Sequence, residues 1–193
     1  MESNSKALKT ALLIMDIQPL TMAMMGETAT GFSATLKKAI AAARSNDILV
    51  LFVIVGFRNG FPELSAQTSN KNLLALRASG IPGLENPTVD PTVDVRPDDI
   101  VITKRRVSAF AGGDLEIILR GHRIDHLVLT GISTSGVVLS TVREGADKDY
   151  RLSVLSDACA DRDPEVHSVL LGKVFPRQAE VLTADQWIAG LGS

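Results

Sequence analysis

A carboxylate, an ammonium and a glycine turn close three apolar runs of this chain: Asp16 follows "ALLIM", Lys104 follows "IVIT", and Gly131 follows "HLVLT". Ligands of open parallel sheets bind at the carboxyl ends of the strands. Two such ends carrying Asp16 and Lys104 make an acid/base pair for proton transfer. Taken singly, each has a plainer reading, Asp16 as a turn cap and Lys104 as a solvated strand-end charge ahead of Arg105 and Arg106. The Gly131 turn opens "GISTSGVVLST", a strand running into a helix, where α/β enzymes often hold a nucleophile. Its hydroxyls, Ser133, Thr134, Ser135 and Ser140, have no evident histidine base, and Thr134 or Ser135 reads as the N-cap of the helix leading to Arg143. Backbone N–H groups around Gly136 and Val137 would attract a carboxylate or a developing oxyanion.

Six runs rich in Val, Ile and Leu must position these residues: 11–16, 48–55, 99–104, 125–131, 151–157 and 179–183. They are continuously apolar rather than alternating, as strands buried on both faces are. Helical spacing falls at 31–45, 112–121, 134–148 and 163–173. The pattern predicts an α/β fold in three layers, α/β/α and Rossmann-like, around a mainly parallel sheet of about six strands. Residues 56–98 break the rhythm and read as an elaborate loop beside the sheet, with "NKNLLALRAS" as a short helix inside it; long loops of this kind are usually functional. One domain is expected over 1–193, with fraying at 1–8 and 190–193.

The chain has 193 residues, 45% of them hydrophobic, and a formal net charge of -2 from 20 basic and 22 acidic side chains, so nothing draws it to nucleic acid or to an anionic membrane. Its most apolar run, "ILVLFVIVGF", is about half the length of a membrane span, and "MESNSKALKT" lacks the apolar core of a secretory signal. A single cysteine, Cys159, forms no internal disulfide, which fits a cytoplasmic setting, and a small buried thiol is its expected state. His122 and His126 straddle a helix end and a strand start, so no metal pair is expected; His167, after Pro164, is expected to be solvated.

The motifs "LLIMDIQ", "ITKRRVSAF" with "GGDLE", and "LVLTGISTSGVVLSTVREGADKDYRLSVLSDACADRDPEVH" resemble the isochorismatase-like hydrolase superfamily, which also contains nicotinamidases and N-carbamoyl amide hydrolases. The likeness runs from about residue 8 to about 185. It implies a hydrolase with a small-molecule substrate, no cofactor, and a homo-oligomeric assembly of two or four copies. By resemblance the family's Asp falls on Asp16, its Lys on Lys104 and its "GVATDxCV" turn on "GISTSGVV". The cysteine position is then Val137, which has no nucleophilic group. The resemblance also suggests that Gln18 of "DxQ" secures the loop or contacts substrate, and that Phe110 lines the pocket or belongs to the core. Ser133, Thr134, Gly136 and Val137 would line the turn, and Arg58 would pair with a substrate carboxylate or stay solvated. The metal-binding "DxHP"-type cluster of nicotinamidases is absent.

True isochorismatases need no cysteine, because their Asp protonates a vinyl ether and water adds to the resulting cation, releasing pyruvate. That reading, with Asp16 as general acid, is the first expectation. An amidase using an unrecognised nucleophile is the second, and a binding or assembly protein without turnover the third.

Overall fold

The computed structural model describes residues 8–26, 29–78 and 84–191. Its centre is one six-stranded sheet, in which every adjacent pair runs parallel: β1 (Thr10–Met15), β2 (Leu49–Val55), β3 (Ile100–Lys104), β4 (His126–Ile132), β5 (Arg151–Ala160) and β6 (Glu180–Leu182). The spatial order is β3-β2-β1-β4-β5-β6. The chain steps outward from β1 to β3, then returns to lay β4 against the other side of β1. The reversal opens a crevice at the carboxyl ends of β1 and β4, the switch point at which such sheets bind ligands.

The apolar runs are continuous because both faces of the sheet are covered. Along β1, Ala11, Leu13 and Met15 enter one core, and Leu12 and Ile14 enter the other. The first core is closed by α4 (Leu115–His122) and α5 (Leu139–Asp147), through Leu115, Leu119 and Val142. The second is closed by α1 (Pro19–Met25), α2 (Ala29–Ser45) and α7 (Ala184–Gly190), through Met22, Leu36, Ile40 and Trp187. Burying one large apolar side chain contributes about 1.5–3 kcal/mol, so each layer is held mainly by this packing.

The α/β/α reading stands, with local differences. The expected helix 163–173 is α6 (Pro164–Val169) continued by a wide turn, Leu170–Val174. Neither α1 nor α7 had been expected. The Asp163 side chain caps α6, accepting from Glu165 N and Val166 N. The 56–98 segment contains α3 (Lys71–Ala78) and a small apolar cluster of Phe57, Leu64 and Leu73. Of the ends expected to fray, 1–7 and 192–193 lie outside the described residues, and Gly190 is the last residue of α7. Among the described residues, no helix is long and apolar enough to cross a membrane.

Candidate active site

Asp16 is the first residue beyond β1 and takes a left-handed backbone conformation, φ 55°, which Asp tolerates better than most residues. Four hydrogen bonds fix that bend. Asp16 N–H donates to Val53 O at 2.8 Å, Thr21 Oγ1 donates to Asp16 O, and the Gln18 side chain binds Val55 at the end of β2. Gln18 Nε2 donates to Val55 O at 3.0 Å, and Gln18 Oε1 accepts from Val55 N–H at 2.9 Å. Both ends of the Gln18 amide therefore serve the loop after β1.

Lys104 ends β3, two strands away, and reaches across the end of β2. Its Nζ lies 2.9 Å from Asp16 Oδ2 and donates to Arg106 O, also at 2.9 Å. Lys104 is 1% exposed and Asp16 8%, so Lys104 is not a solvated strand-end charge. Asp16 Oδ1 is buried without a hydrogen-bond partner. Such an atom costs free energy unless something donates to it or it carries a proton. Burial pushes the Asp16 carboxyl up from its ordinary value, and the charge and hydrogen bond of Lys104 bring it only part of the way back. The outcome is a carboxyl with its ordinary value raised, beside a fixed ammonium.

The Gly131 turn lies against Met15, the residue before Asp16. A Cβ on Gly131 would stand 2.5 Å from Met15 O, so only glycine lets β4 pass β1 so closely. The Ile132–Ser133 peptide bond is cis. The chain then makes a π-turn, Thr134–Val138, before α5 begins. The cap position is Ser133, not Thr134 or Ser135, and no side-chain cap bond forms there. The Ser135 N–H donates to Asp161 Oδ2 at 2.7 Å, and the Gly136 N–H to Ser133 O at 3.1 Å. An internal carboxylate thus already occupies part of the helix start that had been expected to attract a ligand anion. Val137 is buried in the first core.

Thr134 is fully buried, with its Oγ1 2.8 Å from His167 Nδ1. His167 is therefore half-buried and bonded rather than solvated. Burial holds its imidazole below the ordinary histidine value, against the opposing pull of Asp161. Nothing in "EVHS" foretold this, because Thr134 and His167 meet only after β5 and α6 fold back.

Cys159 lies inside β5, which runs three residues further than expected, beside Gly131 across a register shift. Burial pushes its thiol up to about 12, so the thiolate needed for attack is scarce at neutral pH. Phe110 is core: its ring stacks on Tyr150 with centroids 5.8 Å apart, beneath the Lys148 ammonium. Arg58 is 70% exposed and pairs with Glu63 at 2.7 Å. His122 ends α4, whereas both ring nitrogens of His126 are engaged, with Thr10 Oγ1 and Ser153 Oγ. Among the described residues, no group of three or more His, Cys, Asp or Glu side chains is placed to hold a metal ion. Two surface clefts, of about 430 and 520 Å³, flank the starts of β5 and β6 and the edge by β3; neither is lined by Asp16 or Lys104.

A parallel α/β/α sheet with an Asp–Lys pair buried at its switch point places the fold in the Rossmann-like class. The match to the isochorismatase domain covers residues 10–186, and the chain belongs to that family. It is 31% identical over 182 residues to an uncharacterised isochorismatase family protein of Bacillus subtilis, covering 93% of each chain. Against a ureidoacrylate amidohydrolase of Pantoea ananatis it is 33% identical over 178 residues, covering 81% of this chain and 71% of that protein. An isochorismatase family protein of Burkholderia thailandensis superimposes with a TM-score of 0.83 at 26% identity, covering 96% of each chain.

Proposed function

We propose that this hydrolase cleaves a C–N bond of a small amide or ureido compound without a thiolate, with water as the nucleophile and Asp16 and Lys104 as the catalytic pair. The observation carrying the reading is the buried, unpartnered Asp16 Oδ1 beside a carboxyl oxygen already held by Lys104. As the carboxylate, Asp16 can take the proton of an attacking water and, once protonated, return it to the leaving nitrogen; a raised pKa strengthens it as that base. The likeness to a ureidoacrylate amidohydrolase supports the choice of bond. It moves the emphasis from the vinyl ether expected first to the amide expected second, although Val137 and Cys159 supply no covalent nucleophile. Ser133, Gly136 and Val137 would border the substrate, Arg58 would meet its acidic group, and Gln18, Thr134 and Phe110 would support the site from behind.

The vinyl-ether reading keeps one observation in its favour. Burial raises the Asp16 carboxyl above its ordinary value, which favours its protonated form, the form that protonation of an enolpyruvyl carbon requires. One experiment separates the two: ammonia release from a panel of ureido acids and amides beside pyruvate release from isochorismate, each with Asp16→Asn as control. Ammonia without pyruvate upholds the proposal. Pyruvate without ammonia replaces it by the second reading, and silence on both removes the hydrolytic reading for these substrates. The proposal includes a cytoplasmic protein, without nucleic-acid or membrane partners, that assembles with copies of itself, which sedimentation of the purified chain would test.

A further inference from the structure

Ahead of β3 the chain crosses the sheet edge in a segment that carries Glu85, Asp90, Asp94, Asp98 and Asp99 against Arg96 alone. Four of these carboxylates have an ordinary setting: Asp94 and Asp99 pair with Arg44, and Glu85 and Asp98 are exposed. Asp90 has neither. It is 7% exposed, and among the described residues it has no ion-pair partner. It lines the cleft of about 520 Å³ at the β3 edge, whose other walls are apolar except for Thr88.

The carboxylate is held firmly by one side. Asp90 N–H donates to Ile17 O at 2.8 Å, and Asp90 Oδ1 accepts from Thr92 N–H at 2.8 Å and from Thr92 Oγ1 at 2.5 Å. Oδ2 takes no hydrogen bond among the described residues. It is not sealed in, because Asp16 Oδ1 is the fully enclosed side-chain atom without a partner among those residues; Oδ2 therefore opens onto the space that Asp90 lines. The turn at Thr92 needs only Oδ1, and a buried carboxylate without a counter-charge costs free energy that a turn does not require.

The walls narrow the chemistry of what would relieve that cost. Ile54 is buried in the lining, whereas Val95 and Val101 are 37% and 44% exposed, so the cleft offers open apolar surface beside the one carboxylate. A single carboxylate is too few oxygens for a hard cation, which takes six or more ligands. The lining has no aromatic ring, the usual partner of a quaternary ammonium. A primary ammonium fits both features, since it donates to Oδ2 and carries an aliphatic chain for the valines. The volume is within the span of small-molecule sites, about 300–1,000 Å³.

We propose that this cleft is a binding site for a primary alkylammonium, separate from the Asp16 site, with Asp90 Oδ2 taking the ammonium and Ile54, Val95 and Val101 taking the chain. The acidic segment draws the cation in, and the charge-assisted hydrogen bond to Asp90 orients it. The site requires no turnover and stands apart from the hydrolytic reading.

The probe is hexylamine, beside uncharged hexan-1-ol and anionic hexanoate, each titrated into the full chain and followed by amide NMR shifts. The amine binds about tenfold or more tighter than the alcohol, as one charge-assisted hydrogen bond allows, and hexanoate does not bind there. The amides of Val89, Asp90 and Val101 move with the amine. Asp90→Asn abolishes the advantage of the amine over the alcohol, and Val101→Lys, at an exposed position of the wall, weakens amine binding by like-charge repulsion. Far-ultraviolet circular dichroism confirms the fold of each variant. Asp16→Asn and Ile117→Ala, the latter 75% exposed on α4, bind the amine as the wild type does. Equal binding of amine and alcohol, no binding of the amine, or a preference that survives both Asp90→Asn and Val101→Lys overturns the proposal. So does a preference lost in Asp16→Asn and kept in Asp90→Asn, which would move the amine to the Asp16 site. If Asp90→Asn does not fold, Val101→Lys and the moving amides decide alone.

Discussion

Asp16 and Lys104 are a buried pair in which each residue makes the other tolerable, and their removal should separate chemistry from folding. Asp16→Asn keeps the side-chain shape but cannot exchange a proton, so turnover falls by about a hundredfold or more, the span typical of a lost general acid/base, while circular dichroism is unchanged. Activity retained by that variant would remove Asp16 from the mechanism. Cys159 offers the opposite test. Its thiol is pushed up to about 12 from an unfolded value of 9.0, so the folded chain holds that proton longer than the unfolded one. The stability tied to it is complete below pH 9 and is lost as pH rises toward 12. Against Cys159→Ala, the wild type therefore loses stability more steeply over pH 9–12 in denaturant titrations. The variant keeps its activity, and a dead Cys159→Ala enzyme of normal stability would restore the thiol to the mechanism.

The strands were legible because burial on both faces leaves continuous apolar runs, and Asp16 and Lys104 were legible because they end two of them. The short helices were not. In α1, "PLTMAMM" carries no charged residue and so shows no polar face. In α7 a usable signal went unread: Thr183 and Gln186 form a capping box three residues apart. The partnership of Thr134 with His167, the hold of Asp161 on Ser135 and the gathering of Arg105 and Arg106 at Glu63 all join distant segments, and no local pattern encodes them. His126 belongs with these, since it ties the start of β1 to the start of β5 through Thr10 and Ser153. Burial, then the nearby Arg151, hold its imidazole below 6.5, so its contribution is present above pH 6.5 and is lost as pH falls through the depressed value. His126→Gln consequently costs about 1–2 kcal/mol at pH 7.5, the worth of two hydrogen bonds, and flattens the decline of stability below pH 6.5. Parallel pH-stability curves for variant and wild type would contradict this. At the neighbouring turn, Gly131→Ala forces a methyl onto Met15 O and should lower stability by about 1–3 kcal/mol, read as a drop in Tm.

The two cores lie on opposite faces of the sheet, yet neighbouring residues of one strand feed them, and this ties the faces into a single folding unit. Leu12 and Leu13 are both fully buried, Leu12 in the core that contains Trp187 and Leu13 in the core of α4 and α5. Neither layer of helices can leave without exposing the strand that the other layer needs. Leu12→Ala and Leu13→Ala should therefore each cost about 2–5 kcal/mol, the usual range for emptying such a site. The readout is urea unfolding followed by fluorescence of Trp187, the only tryptophan, and by far-ultraviolet circular dichroism. If the chain folds as one domain, Leu13→Ala shifts the Trp187 transition as far as the circular-dichroism transition, although Leu13 lies in the opposite core. A Trp187 transition left in place by Leu13→Ala while the circular-dichroism midpoint falls would mean that the faces unfold separately.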